Sequence, residues 1–285
     1  WRPLIERLGR QLEVVRYDER GCGLSAADDV PLSLDTAVEE IKSVIDAHGG
    51  TRFALLGISG GAAAAVAYAA QHSERVSHLV LLAGFSHGLL HRNPSAQTLA
   101  FYEAQLRLIE LGWGRNDSGV QAMFTSRFLP GGNAEQVASF NEHQRLSCDG
   151  LRAAAIVRAN AAKDVQALVG KVQLALGHEL AASIPGARFE MLRSRNHLPL
   201  PQEPAFERLC EVITEFVAQK PPTVQLTPRE HELACLVGQG LDNLQIAAHM
   251  GLADKTVRNM LSGLYTKLGV AGRVMAVVKV RDMGL

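Results

Sequence analysis

The sequence predicts an α/β domain with a mostly parallel sheet, followed by a small all-α domain. Three observations predict this two-part chain. Between residues 12 and 192, short apolar runs rich in β-forming residues alternate with longer helical runs. A Gly-x-Ser-x-Gly sequence stands at a strand-to-helix junction. After residue 226 the patterns are helical throughout, with glycine turns between them.

The elements of the large domain follow in a regular order. We predict strands at residues 12–17, 52–56, 78–83 and 187–192, and helices at residues 33–48, 61–71 and 203–217. Pro221 and Pro222 mark a semi-rigid spacer after the last helix. We therefore expect a first domain over residues 1–218, a linker over residues 219–226 and a second domain over residues 227–285.

The chemistry of the large domain is predicted at residues 57–61, Gly-Ile-Ser-Gly-Gly. An apolar strand leads into this segment and an alanine-rich helix leads out, so the chain turns sharply and holds Ser59 in a strained conformation. Because the helix begins beneath the serine, the Gly60 N–H and the helix dipole face an oxyanion that develops on a substrate. His197 follows the strand at 187–192, in the order serine then histidine.

These residues, together with Tyr-Asp-Glu-Arg-Gly-Cys-Gly-Leu-Ser at 17–25, make residues 1 to about 218 resemble the α/β-hydrolase fold. The resemblance implies that Ser59 is the nucleophile and His197 the general base. It also implies that Asp18 and Arg20 shape a loop near the site, and that residues 86–165 form a helical lid over an apolar small-molecule pocket. The plainer alternatives are a tight turn at Ser59, a hydrogen-bonded loop histidine at 197 and ordinary core packing in the lid.

The acid of a catalytic triad is the missing part of this pattern. Residues 167–173 run straight into residues 174–180, a predicted helix, where the family has a strand and an acid-bearing loop; Asp164 lies before that position. Trp1 also falls inside what resembles the first helix, so we expect the second oxyanion donor upstream. Either a segment is left out between about residues 172 and 176, which we favour because losing an internal strand exposes a sheet edge, or the domain is a catalytically inactive binding fold.

The second domain is predicted from helix caps and apolar faces. Thr227 and Glu230 form a capping box with Pro228 at the first helical position. Asn243 is expected to cap a second, short helix that stops at Gly251. The third helix buries one apolar face and exposes a basic, amide-bearing face, which is the arrangement that enters a DNA major groove. The apolar positions are Val257, Leu261, Leu264 and Leu268, and the polar ones are Lys255, Arg258, Asn259 and Ser262.

Residues 226–285 resemble the LuxR-type helix-turn-helix domain. The matching segments are Leu-Thr-Pro-Arg-Glu at 226–230, Asn243 with Ile246 and Ala247, Lys-Thr-Val-Arg-Asn at 255–259 and Lys-Leu-Gly-Val at 267–270. Ala253 departs from the usual capping serine or threonine, and Met260 from a common histidine. The resemblance implies that Lys255, Thr256, Arg258 and Asn259 face double-stranded DNA and that Lys267 contacts phosphate. A solvated helical hairpin is the alternative.

Charge and composition limit the partners. The 29 basic and 29 acidic residues balance, which excludes a general affinity for polyanions. Residues 221–285 carry seven basic and five acidic side chains, a net of +2, so DNA binding must depend on placed residues and on a homodimer. Val274, Val277 and Val278 of the last helix are apolar positions suited to self-association, or to packing inside the domain.

The remaining residue types indicate a cytoplasmic protein. The four cysteines form no CxxC pair and are expected to be reduced thiols. No apolar run reaches the length of a membrane span, and the other histidines form no cluster with metal-ligand spacing, so we predict no membrane, metal or cofactor.

Three functions remain open from the sequence. The leading one is a DNA-binding transcriptional regulator whose hydrolase-like domain binds a small, apolar effector. The alternative is an active serine hydrolase of an ester, lactone or amide that carries a DNA-binding tail. The third is a protein-interaction module that has neither activity.

Overall fold

The computed structural model describes residues 2–28, 30–115, 118–169, 175–176, 184, 187–219, 226–268, 270, 272–283 and 285. Contacts divide the chain into two compact units, Trp1–Gln219 and Lys220–Leu285. The predicted boundaries at residues 218 and 227 stay predictions, and residues 220–225 of the predicted linker lie outside the described residues.

The first unit is built around a parallel sheet. Its described strands are β1 (Phe53–Ile58), β2 (Val76–Leu82) and β3 (Ala175–Leu176), in the order β1-β2-β3. Leu55 pairs with Leu79, and Leu79 pairs with Ala175 across the other edge of β2. The parallel α/β sheet predicted from the sequence is confirmed, with β1 and β2 close to their predicted positions.

Helices cover both faces of this sheet. The described helices outside the lid are α1 (Arg2–Leu8), α2 (Leu34–His48), α3 (Gly60–Gln71) and α9 (Pro204–Ala218). Alternate residues of β2 point to opposite faces: Leu79 and Leu81 pack with α3, whereas Val80 packs with α1 and α9. Helix α3 is almost entirely buried. Because most of its side chains are alanine methyl groups, its backbone can approach the sheet closely.

The described residues between β2 and Val169 are largely helical, and they include the predicted lid segment, residues 86–165, whose role as a lid stays a prediction. These described residues contain a 3-10 turn (Leu89–His91) and five helices. Ser95, Asn133 and Asp149 cap three of them through side-chain oxygens. The apolar residues of the lid form their own buried cluster around Leu106 and Ile109. The five helices are α4 (Ala96–Gly112), α5 (Ser118–Phe128), α6 (Ala134–Ser147), α7 (Gly150–Ala162) and α8 (Gln166–Val169).

Three predicted elements of this unit are wrong. Residues 13–17 and 187–192 are irregular rather than strands. A strand needs a hydrogen-bonded neighbour, and in the described residues neither segment has one. The helix predicted over residues 174–180 is also wrong where the structure describes it, because Ala175 and Leu176 form β3 beside β2. The rest of that predicted helix lies outside the described residues.

In its described residues, the second unit packs four helices around one apolar core. They are α10 (Pro228–Gly238), α11 (Asn243–Met250), α12 (Asp254–Leu268) and α13 (Arg273–Asp282). The predicted apolar face of α12 is fully buried. One predicted cap is wrong: Asp242, not Asn243, caps α11, because Asp242 forms the capping box with Gln245 and the Asn243 side chain instead accepts a hydrogen bond from Arg273. Among the helices in the described ranges, none combines the length and the apolar character needed to cross a bilayer.

Candidate active site and nucleic-acid interface

Ser59 occupies a sharp turn between β1 and α3. Its backbone is strained, with φ 52° and ψ −121°, in a region that a non-glycine residue rarely adopts. The Ser59 N–H donates to Leu82 O at 2.9 Å, which fixes the turn against β2. A Cβ on Gly57 would lie 2.7 Å from Ala65 Cβ, so only glycine permits this closeness of strand and helix. The strained strand-to-helix turn predicted at Ser59 is therefore present, and the role of Ser59 as a nucleophile stays a prediction.

Lys163 and Asn160, which the sequence reasoning missed, reach this turn from the end of the lid. The Lys163 ammonium donates to Gly60 O at 2.9 Å and to Asn160 Oδ1 at 2.7 Å. A Cβ on Gly60 would lie 2.5 Å from Asn160 Oδ1. Burial lowers the pKa of Lys163, and the Glu19 charge opposes that shift. Lys163 and Gly60 are 103 positions apart in the sequence, so no local sequence pattern predicts this contact.

His197 is not joined to Ser59 by a hydrogen bond in the described part of the chain. Its N–H donates to Phe128 O at 2.8 Å, and its ring packs edge-on against the Phe128 ring at 5.0 Å. The Nε2 atom is buried without a hydrogen-bond partner among the described residues. Burial lowers the pKa of His197, so the imidazole is neutral at pH 7. A neutral ring is the protonation state that a general base requires.

The carboxylates near the histidine loop have structural contacts. Glu203 accepts from Leu200 N at 2.8 Å and from the Asn196 amide, which fixes the loop that carries His197. Asp164 lies 3.8 Å from His87 and 4.0 Å from His91. Within the ranges that the structure describes, no carboxylate hydrogen-bonds to His197. The triad acid expected from the family is thus not placed among these residues.

A cavity of about 310 Å³ opens beside the serine turn. This volume is near the lower end of ligand pockets, which span about 300–1,000 Å³. Its walls are mainly apolar, with the charged groups of Glu19, Glu40 and Lys163 at one side. Ile58 and Gly61, the neighbours of the turn, line the cavity. Helix α2 contributes Ala37 and Ile41, and the lid helix α7 contributes Ile156 and Asn160.

The loop of residues 18–25 closes one side of this cavity. The Asp18 carboxylate accepts from Leu24 N at 3.0 Å, and Ser25 Oγ donates to Asp18 O at 2.7 Å. The Arg20 guanidinium pairs with Glu40 at 3.0 Å and also with Asp28. Asp18 therefore shapes the loop from within, and Arg20 ties it to α2 through Glu40.

All five predicted DNA-contacting residues lie exposed on α12. Lys255, Thr256, Arg258 and Asn259 occupy its first turns. Arg258 pairs with Asp254 one turn earlier, and Lys267 pairs with Glu230 of α10 at 2.6 Å. Both cations are thus held in place before any DNA arrives. Lys255 and Asn259 complete an exposed polar surface whose opposite side is the buried core of the unit.

The Lys267 ammonium and the Thr227 N–H lower the pKa of Glu230 to about 2. We expect Lys267→Met to raise this pKa toward the ordinary 4.5, because the stronger of the two partners is removed. A lowered carboxyl pKa stabilises the folded state above pH 4.5, and this stabilisation is lost as the pH falls from 4.5 toward 2. Carboxyl-carbon NMR titration measures the pKa directly. An unchanged pKa in Lys267→Met, or an equal rise in the control Lys255→Met, contradicts the assignment.

Two family models match the chain, one in each unit. The model described as alpha/beta hydrolase fold matches residues 1–145. The model described as bacterial regulatory proteins, luxR family, matches residues 224–280.

Three relatives show how the matches are distributed. The spore germination protein GerE of Bacillus subtilis is 44% identical over 59 residues, 21% of this chain and 80% of that protein. SgaR of Hyphomicrobium methylovorum, whose name proposes a transcriptional regulatory protein, is 50% identical over 56 residues, 20% of this chain and 26% of SgaR. RutD of Caulobacter segnis, whose name proposes a carbamate hydrolase, is 30% identical over 124 residues, 43% of this chain and 42% of RutD. The chain thus spans less than half the length of SgaR and RutD.

Solved hydrolases share the fold of the first unit. The esterase EaEST from Exiguobacterium antarcticum has a TM-score of 0.64 at 20% identity, over 76% of this chain and 87% of that one. A hydrolase from Pseudomonas aeruginosa PA01 has a TM-score of 0.61 at 20% identity, over 77% of this chain and 84% of that one. At these identities the similarity shows the fold alone.

The fold and the two sites define a hydrolase-fold domain joined to a DNA-binding regulator domain. The chain belongs to the α/β-hydrolase fold family through its first unit and to the luxR family of bacterial regulatory proteins through its second.

Proposed function

We propose that this protein is a transcriptional regulator whose α/β-hydrolase domain binds a small effector in the cavity beside Ser59. The observation that carries the proposal is the cavity itself, about 310 Å³ of mainly apolar space at the carboxyl end of β1. Ligands of open α/β sheets bind at the carboxyl ends of the strands. Because the same chain carries a DNA-binding unit, we propose that the bound ligand regulates DNA binding.

The walls of the cavity indicate the chemistry of the effector. Most lining side chains are aliphatic, which favours an apolar body. Lys163 supplies one half-buried donor group, and Glu40 is already paired with Arg20. We therefore propose an apolar molecule that carries one acceptor oxygen, such as the carbonyl of a short-chain ester, lactone or amide.

The exposed face of α12 is proposed as the surface that reads DNA. Arg258 and Asn259 have the donor and acceptor groups that recognise base edges in a major groove. Lys255 and Thr256 flank them, and Lys267 is proposed to contact phosphate. Val274 on α13 is 78% exposed, which supports a homodimer formed through this helix. Val277 packs against the core of the unit instead.

A paired substitution at Gly61 tests effector binding. A Cβ built on Gly61 meets nothing within 4 Å, so Gly61→Leu fills the cavity without a backbone clash. Gly61→Ala adds one methyl group at the same position and is the matched control. DNA duplexes are first selected from a random library with the wild-type protein. We expect at least one of p-nitrophenyl butyrate, γ-nonalactone and N-butylacetamide to change the Kd for DNA in the wild type and in Gly61→Ala.

The same experiment sets the outcome that contradicts the proposal. We expect Gly61→Leu to bind the selected DNA normally and to respond to none of the three compounds. An equal response in Gly61→Leu places the effector elsewhere. Calorimetry that detects no binding of any of the three compounds to the wild type at millimolar concentration excludes this ligand class.

A serine hydrolase is the second candidate function, and the strained backbone of Ser59 favours it. Strain at a non-glycine residue is typical of a nucleophile held on a strand-to-helix turn. The neutral His197 and the buried Lys163 are the two basic groups proposed to serve that serine. A slow hydrolase that consumes its own effector combines both functions.

A further inference from the structure

Cys22 and Cys148 lie side by side in the first unit, although 126 positions separate them in the sequence. Cys22 belongs to the loop of residues 18–25, and Cys148 follows the last residue of α6. The Gly23 N–H donates to Ser147 O at 2.7 Å, so the two backbones touch next to both cysteines. This backbone contact brings the Cys22 and Cys148 side chains together, so that each thiol lies in the electrostatic field of the other.

A second contact holds the loop on the other side of Cys22. The Arg152 guanidinium donates to Arg20 O, and a Cβ on Gly21 would lie 2.8 Å from Arg152 Nε. Arg152 belongs to α7, whose start follows Cys148 closely. The loop is therefore hydrogen-bonded to the lid at residues 20 and 23, on both sides of Cys22. These two contacts hold Cys22 against the lid.

The two thiols are unequal in reactivity. The neighbouring Cys22 thiol, together with a hydrogen bond from Ser147 Oγ, lowers the pKa of Cys148 to about 7. The neighbouring Cys148 sulfur, together with burial, raises the pKa of Cys22. Both residues are half-buried and thus accessible to a small oxidant. Cys210 is fully buried, and burial raises its pKa. One member of the pair is a thiolate near neutral pH and its neighbour is a thiol.

We propose that Cys22 and Cys148 are a redox modification site, at which hydrogen peroxide forms a reversible disulfide that fastens the loop of residues 18–25 to the lid. The Cys148 thiolate attacks one peroxide oxygen and the O–O bond breaks, which gives a sulfenic acid and, after protonation, one water. The Cys22 sulfur then displaces the sulfenic hydroxyl and forms the S–S bond, releasing a second water. Two thiols lose two electrons to the peroxide, and an external dithiol reverses the reaction.

The disulfide bears on the cavity because it joins the loop of residues 18–25 to the segment directly before α7, and both the loop and α7 contribute lining residues. Glu19 of the loop and Tyr17 before it line the cavity, and Ile156 and Asn160 line it from α7. A cross-link between distant positions also removes conformations from the unfolded chain. We therefore expect oxidation to raise the Tm of the first unit by at least about 5 °C.

Peptide mapping of the full chain tests the site. Reduced, desalted protein is treated with a small excess of hydrogen peroxide, blocked with N-ethylmaleimide and digested with trypsin without reductant. We expect a linked pair of peptides, residues 21–42 with residues 146–152, which dithiothreitol separates. Cys22→Ser should instead accumulate a sulfenic acid on Cys148 that dimedone traps. Cys148→Ser should leave Cys22 reduced, and the control Cys235→Ser should leave the linked pair unchanged.

Two results overturn the proposal. One is sulfinic acid on Cys148 of the wild type without the linked pair, and the other is cross-linking through Cys210 or Cys235 or between copies. A second test needs only the wild-type protein, and it measures the rate of cysteine alkylation as a function of pH. We expect Cys148 to react with a midpoint near pH 7 while Cys22 stays slow. Equal rates for both cysteines with a midpoint near pH 9 contradict the pairing.

Discussion

Arg258→Ala is expected to raise the Kd for a selected DNA duplex by about 5- to 150-fold, which corresponds to a loss of about 1–3 kcal/mol. Arg258 lies exposed in the first half of α12, and its guanidinium is held by Asp254 one turn away. Fluorescence anisotropy at a fixed salt concentration measures the change. An exposed i,i+4 ion pair is worth only about 0.3–0.5 kcal/mol, so its loss does not account for an effect of this size.

Arg229→Ala is the matched control for this prediction. Arg229 is an exposed arginine on α10 of the same unit, and its removal changes the net charge by the same amount. If Arg258 reads a base, its loss also relaxes the preference at one position of the selected site, whereas the control leaves the preference unchanged. Equal effects of both variants show a general electrostatic attraction and contradict the assignment of α12 as the reading helix.

Lys267 is expected to behave differently from Arg258. A lysine that contacts phosphate weakens binding to all sequences alike, and its removal lowers the slope of log Kd against log salt by about 1. Because Lys267 pairs with Glu230 in the free protein, DNA must compete with that carboxylate. A slope that changes by about 1 in Lys267→Ala but not in Arg258→Ala would distinguish the phosphate contact from the base contact.

The second unit shows how far local signals reach. Its caps, glycine stops and apolar faces depend on residues within one or two helical turns, and the helices form where these signals predict them. The one shift, from Asn243 to Asp242 as the cap of α11, arises because both neighbours are good caps. Only Asp242 has Gln245 three positions later to complete the box.

The first unit shows what local signals miss. Residues 12–17 have the composition of a strand, yet a strand forms only when a neighbour supplies its hydrogen bonds. Conversely, Ala175 and Leu176 were predicted as helix and pair with β2, a partner almost a hundred positions away. Lys163 at the serine turn and Cys148 beside Cys22 are contacts of the same long-range kind. The sequence predicts the serine turn, but not these neighbours.

Ser59→Ala is expected to abolish a covalent adduct that a fluorophosphonate probe forms with the wild-type protein. The strained turn places Ser59 next to the Gly60 N–H. In this geometry the serine oxygen can attack the probe while the Gly60 N–H donates to the oxyanion that forms. Since no carboxylate hydrogen-bonds to His197 within the described residues, we expect turnover of p-nitrophenyl butyrate about 10³–10⁴-fold below that of an intact triad. Intact-mass spectrometry counts the adducts, and absorbance follows the turnover.

Two further variants identify the base that serves the serine. His197→Ala should slow adduct formation by about 10²–10⁴-fold if His197 accepts the serine proton. Lys163→Met should slow it instead if the buried ammonium loses a proton and takes that role, as its lowered pKa favours. Adducts that form at the wild-type rate in both variants would show that neither group activates Ser59.

The Ser59→Ala variant also separates the two proposed functions, because binding in the cavity does not require the hydroxyl. Ile58 and Gly61 line the cavity on either side of the serine in the sequence, and alanine at position 59 preserves them. We expect the effector-dependent change in DNA affinity to persist in Ser59→Ala while the adduct disappears. If that response is lost with the hydroxyl and wild-type protein turns the effector over, then hydrolysis is part of the signal. In that case the strained backbone of Ser59 serves catalysis, and the cavity binds the effector as a substrate whose hydrolysis produces the change in DNA affinity.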